Sequence, residues 1–197
     1  TKALARSMAS TKEIKGANVL NNAFSGSGVT GGDGKTLCAS DHPTRNGNQS
    51  NILATAADLS ETSLEQMLIQ ISDMKDDRGL RIAATGTMLV IPTAYTFVAE
   101  RLLESQLRTG TSDNDLNAIR QGGYIPQGYH IMRRLTDSDA FFIMTDVPDG
   151  LKHFQRSPLK KGVEGDFDTG NVRYKARERY SFGVSDPLGI YGSPGSS

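Results

Sequence analysis

The spacing of apolar residues predicts two helices in the first half of the chain. Residues 3–24 contain no proline, and their apolar positions roughly follow helical spacing, which predicts one long, weakly amphipathic helix. Residues 60–75 show the clearer pattern, in which one face carries Leu64, Met67, Leu68, Ile71 and Met74. Thr62 and Glu65 fit a capping box at its start, with Thr62 as the N-cap.

Between these helices, the composition of residues 25–51 predicts a long loop rich in Gly, Ser and Asn. Loops of this length are usually functional or disordered, and in an assembly they often reach a neighbouring subunit. Residues 28–36 resemble a phosphate-binding P-loop, but Val29 occupies the position where that motif requires its first glycine. A helix also precedes the segment where the motif needs a strand, so the pattern favours a flexible glycine turn.

The second half of the chain predicts a sheet flanked by helices. Residues 80–91 include a continuous apolar run at 88–91, which is typical of a strand buried on both faces. Pro92 opens a predicted helix that ends near Ser105, with a buried stripe formed by Ala94, Phe97, Val98 and Leu102. A short helix is predicted at 115–120, and further strands at 129–135, 140–145 and 151–156.

Residues 172–184 alternate between apolar and polar positions, which predicts a long, half-exposed strand of an antiparallel sheet. One face is basic and carries Arg173, Lys175, Arg177 and Arg179. Glu178 falls among the apolar positions of the other face and therefore needs a partner. The basic face has three possible roles: contact with solvent, contact with acidic residues of a neighbouring subunit, or contact with nucleic acid phosphate.

Composition narrows the class of protein. The 197 residues are 37% hydrophobic, which excludes a disordered chain, and the order of elements predicts an α+β fold. With 22 basic and 22 acidic residues the net charge is zero, which excludes nucleic acid binding by bulk positive charge. No apolar run is long enough to span a bilayer. The single cysteine excludes an intrachain disulfide and favours a reducing compartment.

Cys38 and His42 are the only residues of the glycine-rich loop that suggest catalysis. A Cys–His pair could form a nucleophilic site, which leaves a small cytosolic hydrolase as an alternative function. The chain holds only three histidines and one cysteine, too few for a zinc site without carboxylate ligands. The more favourable interpretation is that Cys38 is a small buried residue and that His42 starts a turn. We therefore assign no catalytic, metal or cofactor-binding residue.

The order of several short segments resembles the major capsid proteins of tailed bacteriophages with the HK97-like fold. The sequence is similar in particular to the Mu-like prophage major head subunit branch. The matching segments include residues 18–24 (NVLNNAF), 33–37 (DGKTL), 77–80 (DRGL), 99–103 (AERLL), 165–171 (GDFDTGN), 175–180 (KARERY) and 186–192 (DPLGIYG). No single segment is specific, but together they extend over nearly the whole chain.

This resemblance implies a structural, non-enzymatic subunit without cofactors. Residues 1–54 would form the spine helix and long loop of a peripheral (P) domain, residues 55–160 an axial (A) domain, and residues 161–197 the return to the P domain. The family's N-terminal arm and E-loop would be absent from this chain, so its cross-linking chemistry is assigned to no residue. The location implied is the virion capsid, assembled in the cytoplasm of a bacterial host.

The family's partners follow from the same resemblance. Its subunits form hexamers and pentamers that tile an icosahedral shell around double-stranded DNA, packaged without sequence specificity and without a membrane. Scaffold, portal and decoration proteins are further possible partners. An encapsulin-type shell that holds cargo protein shares the fold and is the structural alternative. A nucleic-acid-binding module that contacts phosphate through Arg173, Lys175, Arg177 and Arg179 is a third alternative.

Overall fold

A computed structural model describes residues 2–26, 30–108, 115–165, 167–168 and 170–196. The α-helices are α1 (Lys2–Asn21), α2 (Glu61–Ser72), α3 (Thr96–Leu103) and α4 (Ala118–Gln121). The strands are β1 (His42–Thr44), β2 (Gly47–Gln49), β3 (Gly86–Ile91), β4 (Tyr129–Ile131), β5 (Phe141–Thr145), β6 (Leu151–Gly165), β7 (Val172–Val184) and β8 (Ile190–Ser193). Short 3-10 turns span Thr93–Tyr95 and Pro187–Gly189. The predicted α+β class is confirmed.

The core is built around a four-stranded sheet in the order β4-β3-β5-β8. Strand β3 pairs with β4 in parallel and with β5 antiparallel, and β5 pairs antiparallel with β8. Both faces of the sheet are covered, as the continuous apolar runs of β3 and β5 require. The buried residues that contact α2, α3 and α4 include Leu89, Ile91, Phe141, Ile143 and Tyr191.

The opposite face of the sheet packs against the end of α1 and the loop that follows it. Val90, Phe142 and Ile190 alternate with the residues of the first face and form a second cluster with Leu20 and Leu37. The Phe142 ring stacks on Phe24, with 5.4 Å between ring centroids. Helix α1 is therefore anchored at its C-terminal end, where its buried residues are Ala17, Val19 and Leu20.

Two details of the predicted helices are wrong. The N-cap of helix α2 lies two residues before the predicted one, because Ser60 has extended backbone and its side chain accepts the N–H of Ser63. Ser63 in turn accepts the N–H of Ser60, so the capping box uses these two serines and not Thr62 and Glu65. The prediction failed because serine and threonine are both favourable N-caps and stand close together.

The buried stripe of α3 also differs from the expected one. Ala99 and Leu103 are its buried residues, Val98 and Leu102 are partly buried, and Ala94 and Phe97 are exposed. The reason is the 3-10 turn at Thr93–Tyr95, which has three residues per turn and therefore changes the phase of the following helix.

Several strand bounds differ from the predicted ones. Strand β3 starts at Gly86, because Ala83 has left-handed backbone (φ 51°) that interrupts the extended conformation. The predicted strand at 129–135 ends at Ile131, whereas the one at 151–156 continues to Gly165. Strand β7 has the predicted bounds. The glycine-rich loop contains one small hairpin, β1–β2, which the composition did not indicate.

Candidate subunit interface

Strands β6 and β7 form a two-stranded antiparallel ribbon that stands apart from the central sheet. Its register runs from Leu151 opposite Val184 to Gly165 opposite Val172, with irregularities between Gln155 and Lys160. Pro158 lies inside this irregular stretch, where a missing backbone N–H is tolerated. Because side chains alternate along each strand, the ribbon has one face toward α1 and one face away from it.

The face toward α1 is held by an ion pair in a mostly buried position. The Glu178 carboxylate accepts a hydrogen bond from the Lys12 ammonium at 2.7 Å, and only 7% of the Glu178 side chain is exposed. The same ammonium lies 5.2 Å from the centroid of the Tyr180 ring. The prediction that Glu178 needs a partner is therefore confirmed, and helix α1 supplies that partner.

Aromatic residues continue this contact toward the base of the ribbon. The Phe182 ring stacks on His153 at 4.9 Å and lies edge-on to Tyr180 at 5.6 Å. A Cβ atom at Gly16 would lie 3.4 Å from the Phe182 ring, so glycine allows the helix to approach the strand closely. The base of the ribbon is thus fixed to α1 by charge and by aromatic packing.

The opposite face carries the four predicted basic residues, of which Arg179, at the base of the ribbon, also borders the space beside α1. Arg173 lies opposite Glu164, Lys175 opposite Gly162, Arg177 opposite Lys160 and Arg179 opposite Ser157. The Lys175 ammonium lies 3.3 Å from the Glu164 carboxylate, with both side chains about three-quarters exposed. Lys160 adds a fifth cation that sequence reasoning missed, because its face depends on the pairing of β6 with β7. We call Lys160, Arg173, Lys175, Arg177 and Arg179 the basic face.

The distal half of the ribbon exposes apolar side chains on the face that turns toward α1 near the base. Val163 and Val172 are 61% and 56% exposed, and Tyr174 is 54% exposed. Phe167, near the end of the ribbon, is fully exposed. Two-stranded ribbons are only marginally stable when nothing packs against them. The distal half therefore has the properties of a surface that another protein covers.

A groove of about 1000 Å³ lies between the second half of α1 and the base of the ribbon. It is lined by Lys15 from the helix and by Phe154, Arg156 and Arg179 from the strands. Phe154 is 56% exposed, so the groove combines an apolar side chain with three cations.

The structure does not bring Cys38 and His42 together as a catalytic pair. Burial raises the pKa of the Cys38 thiol, which therefore stays protonated and is a poor nucleophile. Both ring nitrogens of His42 are occupied, Nδ1 by the Asp33 carboxylate at 2.6 Å and Nε2 by the Asn51 side-chain oxygen at 3.1 Å. The prediction that Cys38 is a small buried residue is confirmed.

Asn51 is the centre of this buried network, and sequence reasoning missed it. Its amide nitrogen donates to the carbonyl oxygens of Leu37, Pro187 and Ile190. Its side-chain oxygen therefore acts as an acceptor, and it accepts the backbone N–H of Ala39 at 2.8 Å. His42 Nε2 must donate to that same oxygen. Since Nδ1 lies against the Asp33 carboxylate, both ring nitrogens are held by the network and the ring orientation is fixed.

Asp33 is the anion of the network. Burial raises the pKa of its carboxyl, but the hydrogen bonds from His42 and from the Lys35 backbone N–H lower it by more, so the net shift is downward. Lys35 itself forms an ion pair with Asp41. The lysine of the P-loop-like segment is therefore part of an ion pair in this loop. Residues 28 and 29 of that segment lie outside the described residues.

Replacing Asp33 with asparagine should reduce the amount of unfolding free energy that the protein loses at acidic pH. Because the folded-state pKa is lowered, the unfolded chain binds more protons as pH falls below about 4, and the wild-type protein loses stability there. The Asp33→Asn protein should be less stable at neutral pH and lose less on acidification. Urea unfolding at a series of pH values measures this, with Asp115→Asn, at an exposed carboxylate, as the control. Parallel curves for wild type and Asp33→Asn would contradict the assignment.

The part of the chain that the structure describes contains neither a metal site nor a membrane-spanning helix. No group of three or more His, Cys, Asp or Glu side chains could hold a metal ion there. Among the same residues, no helix has the length and apolar character needed to cross a bilayer. The most distinctive feature is the ribbon, with its basic face and exposed distal half.

The fold and the ribbon together define a structural protein whose surface suits contacts with other subunits. The family model described as "Phage capsid protein" matches residues 1–193, and the chain belongs to this family. The family assignment suggested by the short segments is thereby confirmed, and the implied location in the virion capsid agrees with it. The Mu-like branch stays a prediction.

Solved structures show the same fold. A structure titled "Mycobacterium phage Che8" is 17% identical, with a TM-score of 0.53, and the match covers 100% of this chain and 63% of that chain. The crystal structure of a virus-like particle from Pyrococcus furiosus is 11% identical, with a TM-score of 0.50, and the match covers 92% and 62%. The chain thus spans less than two thirds of the length of either structure. No curated protein matches it.

Proposed function

We propose that the chain is the major capsid subunit of a phage head and that it has the HK97-like fold. Copies would assemble into hexamers and pentamers of an icosahedral shell that encloses double-stranded DNA. The family match supports the capsid role, and the likeness to a virus-like particle supports self-assembly. The observation that carries the proposal is the ribbon, whose distal half exposes both faces and needs a neighbour to cover it. Scaffold, portal and decoration proteins would be its further partners.

The division into a P domain and an A domain is part of this proposal. Residues 1–54 would belong to the P domain and residues 55–160 to the A domain, with the chain returning to the P domain over 161–197. Strand β6 is continuous across position 160, so a domain boundary there would divide the strand. We therefore move the second boundary from residue 160 to about residue 150, just before β6 begins. Strand β8 pairs with β5, so the last residues would return to the A-domain sheet.

We propose that the basic face contacts a neighbouring subunit. Arg177 and Lys160 lie directly opposite each other, and like charges in this position destabilise a strand pair unless an anion lies nearby. The whole chain has zero net charge, so carboxylates elsewhere on its surface balance these cations. A second copy therefore offers the complementary surface, with an exposed acid such as Asp137.

The Arg177→Glu substitution should impair assembly without unfolding the subunit. We expect the protein concentration needed for assembly, measured by sedimentation, to rise about tenfold or more, because a repulsive pair replaces an attractive one in each contact. Arg78→Glu is the matched control, since it makes the same charge change at an exposed position outside the ribbon. Equal behaviour of the two variants would contradict the subunit contact. Normal assembly with loss of DNA retention would place the face against DNA instead.

A shell that encloses cargo protein is the second candidate, favoured by the likeness to the virus-like particle. Purified particles decide between the two candidates. Nuclease-protected DNA inside the shells supports the phage head, whereas a second protein in fixed proportion and no DNA supports the cargo shell.

A further inference from the structure

An apolar groove lies on the sheet unit, away from the ribbon. It has a volume of about 690 Å³ and lies between α2 and the segment that follows α4. Leu68 and Ile69 line it from the helix, and Ile119, Tyr124 and Pro126 line its other side. Ile69 and Tyr124 are 64% and 56% exposed, so nothing in the described part of the chain fills the groove. Exposed apolar surface of this kind marks an interaction site.

A complementary protrusion lies on α3. Phe97 is 72% exposed at the start of this helix, and Arg101 lies one turn later on the same side. In the groove, Glu65 lies one helical turn before Ile69, just as Arg101 lies one helical turn after Phe97 on α3. Among the described residues, neither Glu65 nor Arg101 has an ion pair or a side-chain hydrogen bond. Each surface therefore pairs an apolar side chain with a charge, and the two charges are opposite.

The two surfaces lie at opposite ends of the same strand. Gly86, the first residue of β3, lines the groove, whereas α3 follows the last residue, Ile91, through the 3-10 turn. Because Phe97 is 72% exposed, it does not fill the groove of its own chain. A contact between the two surfaces must join separate copies head to tail. Repeated contacts of this kind close into a ring when the rotation between copies is suitable.

We propose that Phe97 of one copy inserts into the groove at Ile69 and Tyr124 of the next copy, with Arg101 paired to Glu65. The inference rests on the proposed function, because it names the partner surface that a self-assembling capsid subunit needs. A second copy is the occupant because the same chain supplies the apolar protrusion, the cation and the spacing that a head-to-tail contact requires.

Crosslinking between single-cysteine variants tests the contact directly. Ser72→Cys, in the groove wall, and Glu100→Cys, about one turn after Phe97, leave the proposed contact side chains in place. The two proteins are mixed under assembly conditions and treated with a short thiol crosslinker, with Cys38 silent because it is buried. We expect a crosslinked dimer only in the mixture, with no product from either variant alone. Leu80→Cys, 65% exposed but outside the groove, replaces Ser72→Cys as the control. Product from either variant alone, or equal product with the control, would overturn the head-to-tail pairing.

Exchanging the charges of Glu65 and Arg101 tests whether these two residues pair between copies. Glu65→Arg and Arg101→Glu should each raise the concentration needed for assembly severalfold, and the protein with both changes should return toward wild type. Additive losses in the double variant would overturn the pairing of these two residues.

The two proposals fail in different ways. If wild-type protein forms particles but the mixture gives no specific crosslink, the groove contact is wrong and the proposed function stands. If wild-type protein forms no particles under any condition, the proposed function fails and the groove contact fails with it.

Discussion

The Asn51→Ala protein should lose about 4 kcal/mol of its free energy of unfolding, because several buried polar groups lose their partners at once. The Asn51 side chain is fully buried. It links the loop after α1 to the 3-10 turn and strand near the C-terminus through Leu37, Ala39, His42, Pro187 and Ile190. A methyl group satisfies none of these donors and acceptors, and water cannot easily replace the amide in a closed site.

Urea unfolding followed by circular dichroism measures this loss. Asn48→Ala is the matched control, because Asn48 lies on the nearby β2 strand and its side chain is exposed. We expect that variant to stay within about 0.5 kcal/mol of wild type. A loss below about 1 kcal/mol for Asn51→Ala would mean that the network does not hold the loop to the sheet.

The Phe142→Ala protein should lose about 3–5 kcal/mol of its free energy of unfolding, because removal of the ring leaves a cavity between the sheet and α1. Phe142 has no exposed surface, and it stacks on Phe24 from the end of α1. The loss should therefore also loosen α1 from the sheet, which hydrogen exchange of the α1 amides detects as faster exchange.

Phe97→Ala separates packing within the subunit from contacts between subunits. Phe97 is 72% exposed, so its removal should leave the stability of the isolated subunit unchanged while weakening assembly. Comparable destabilisation by Phe97→Ala and Phe142→Ala in the unassembled state would contradict the burial that the structure gives to these two residues.

Long periodic segments are the part of the fold that the sequence could predict. Strand β7 alternates over thirteen residues, and α2 repeats apolar residues at helical spacing, so hydrophobic periodicity alone locates both. Strand β6 is different, because its lysines and glycines carry no alternation beyond residue 156. Its length follows from pairing with β7, which is a tertiary contact. The buried side of α3 likewise depends on a 3-10 turn that periodicity does not show.

For the candidate interface, the sequence likewise predicted which side chains share a face of β7 but not which residues they contact. The alternation in β7 placed Arg173, Lys175, Arg177 and Arg179 on one face and showed that Glu178 needs a partner. It did not identify Lys12, because the crossing of α1 over β7 depends on the packing at Gly16. Asn51 has no sequence signal either: an asparagine in a polar, glycine-rich loop is typical of a turn. Its role appears only when three distant segments meet around it.

Negative-stain electron microscopy of the full-length gene product, expressed alone and with its neighbouring genes, tests the proposed function most directly. A self-assembling capsid subunit should give closed icosahedral shells, or rings of five and six copies. A small, monodisperse monomer under all of these conditions would contradict it.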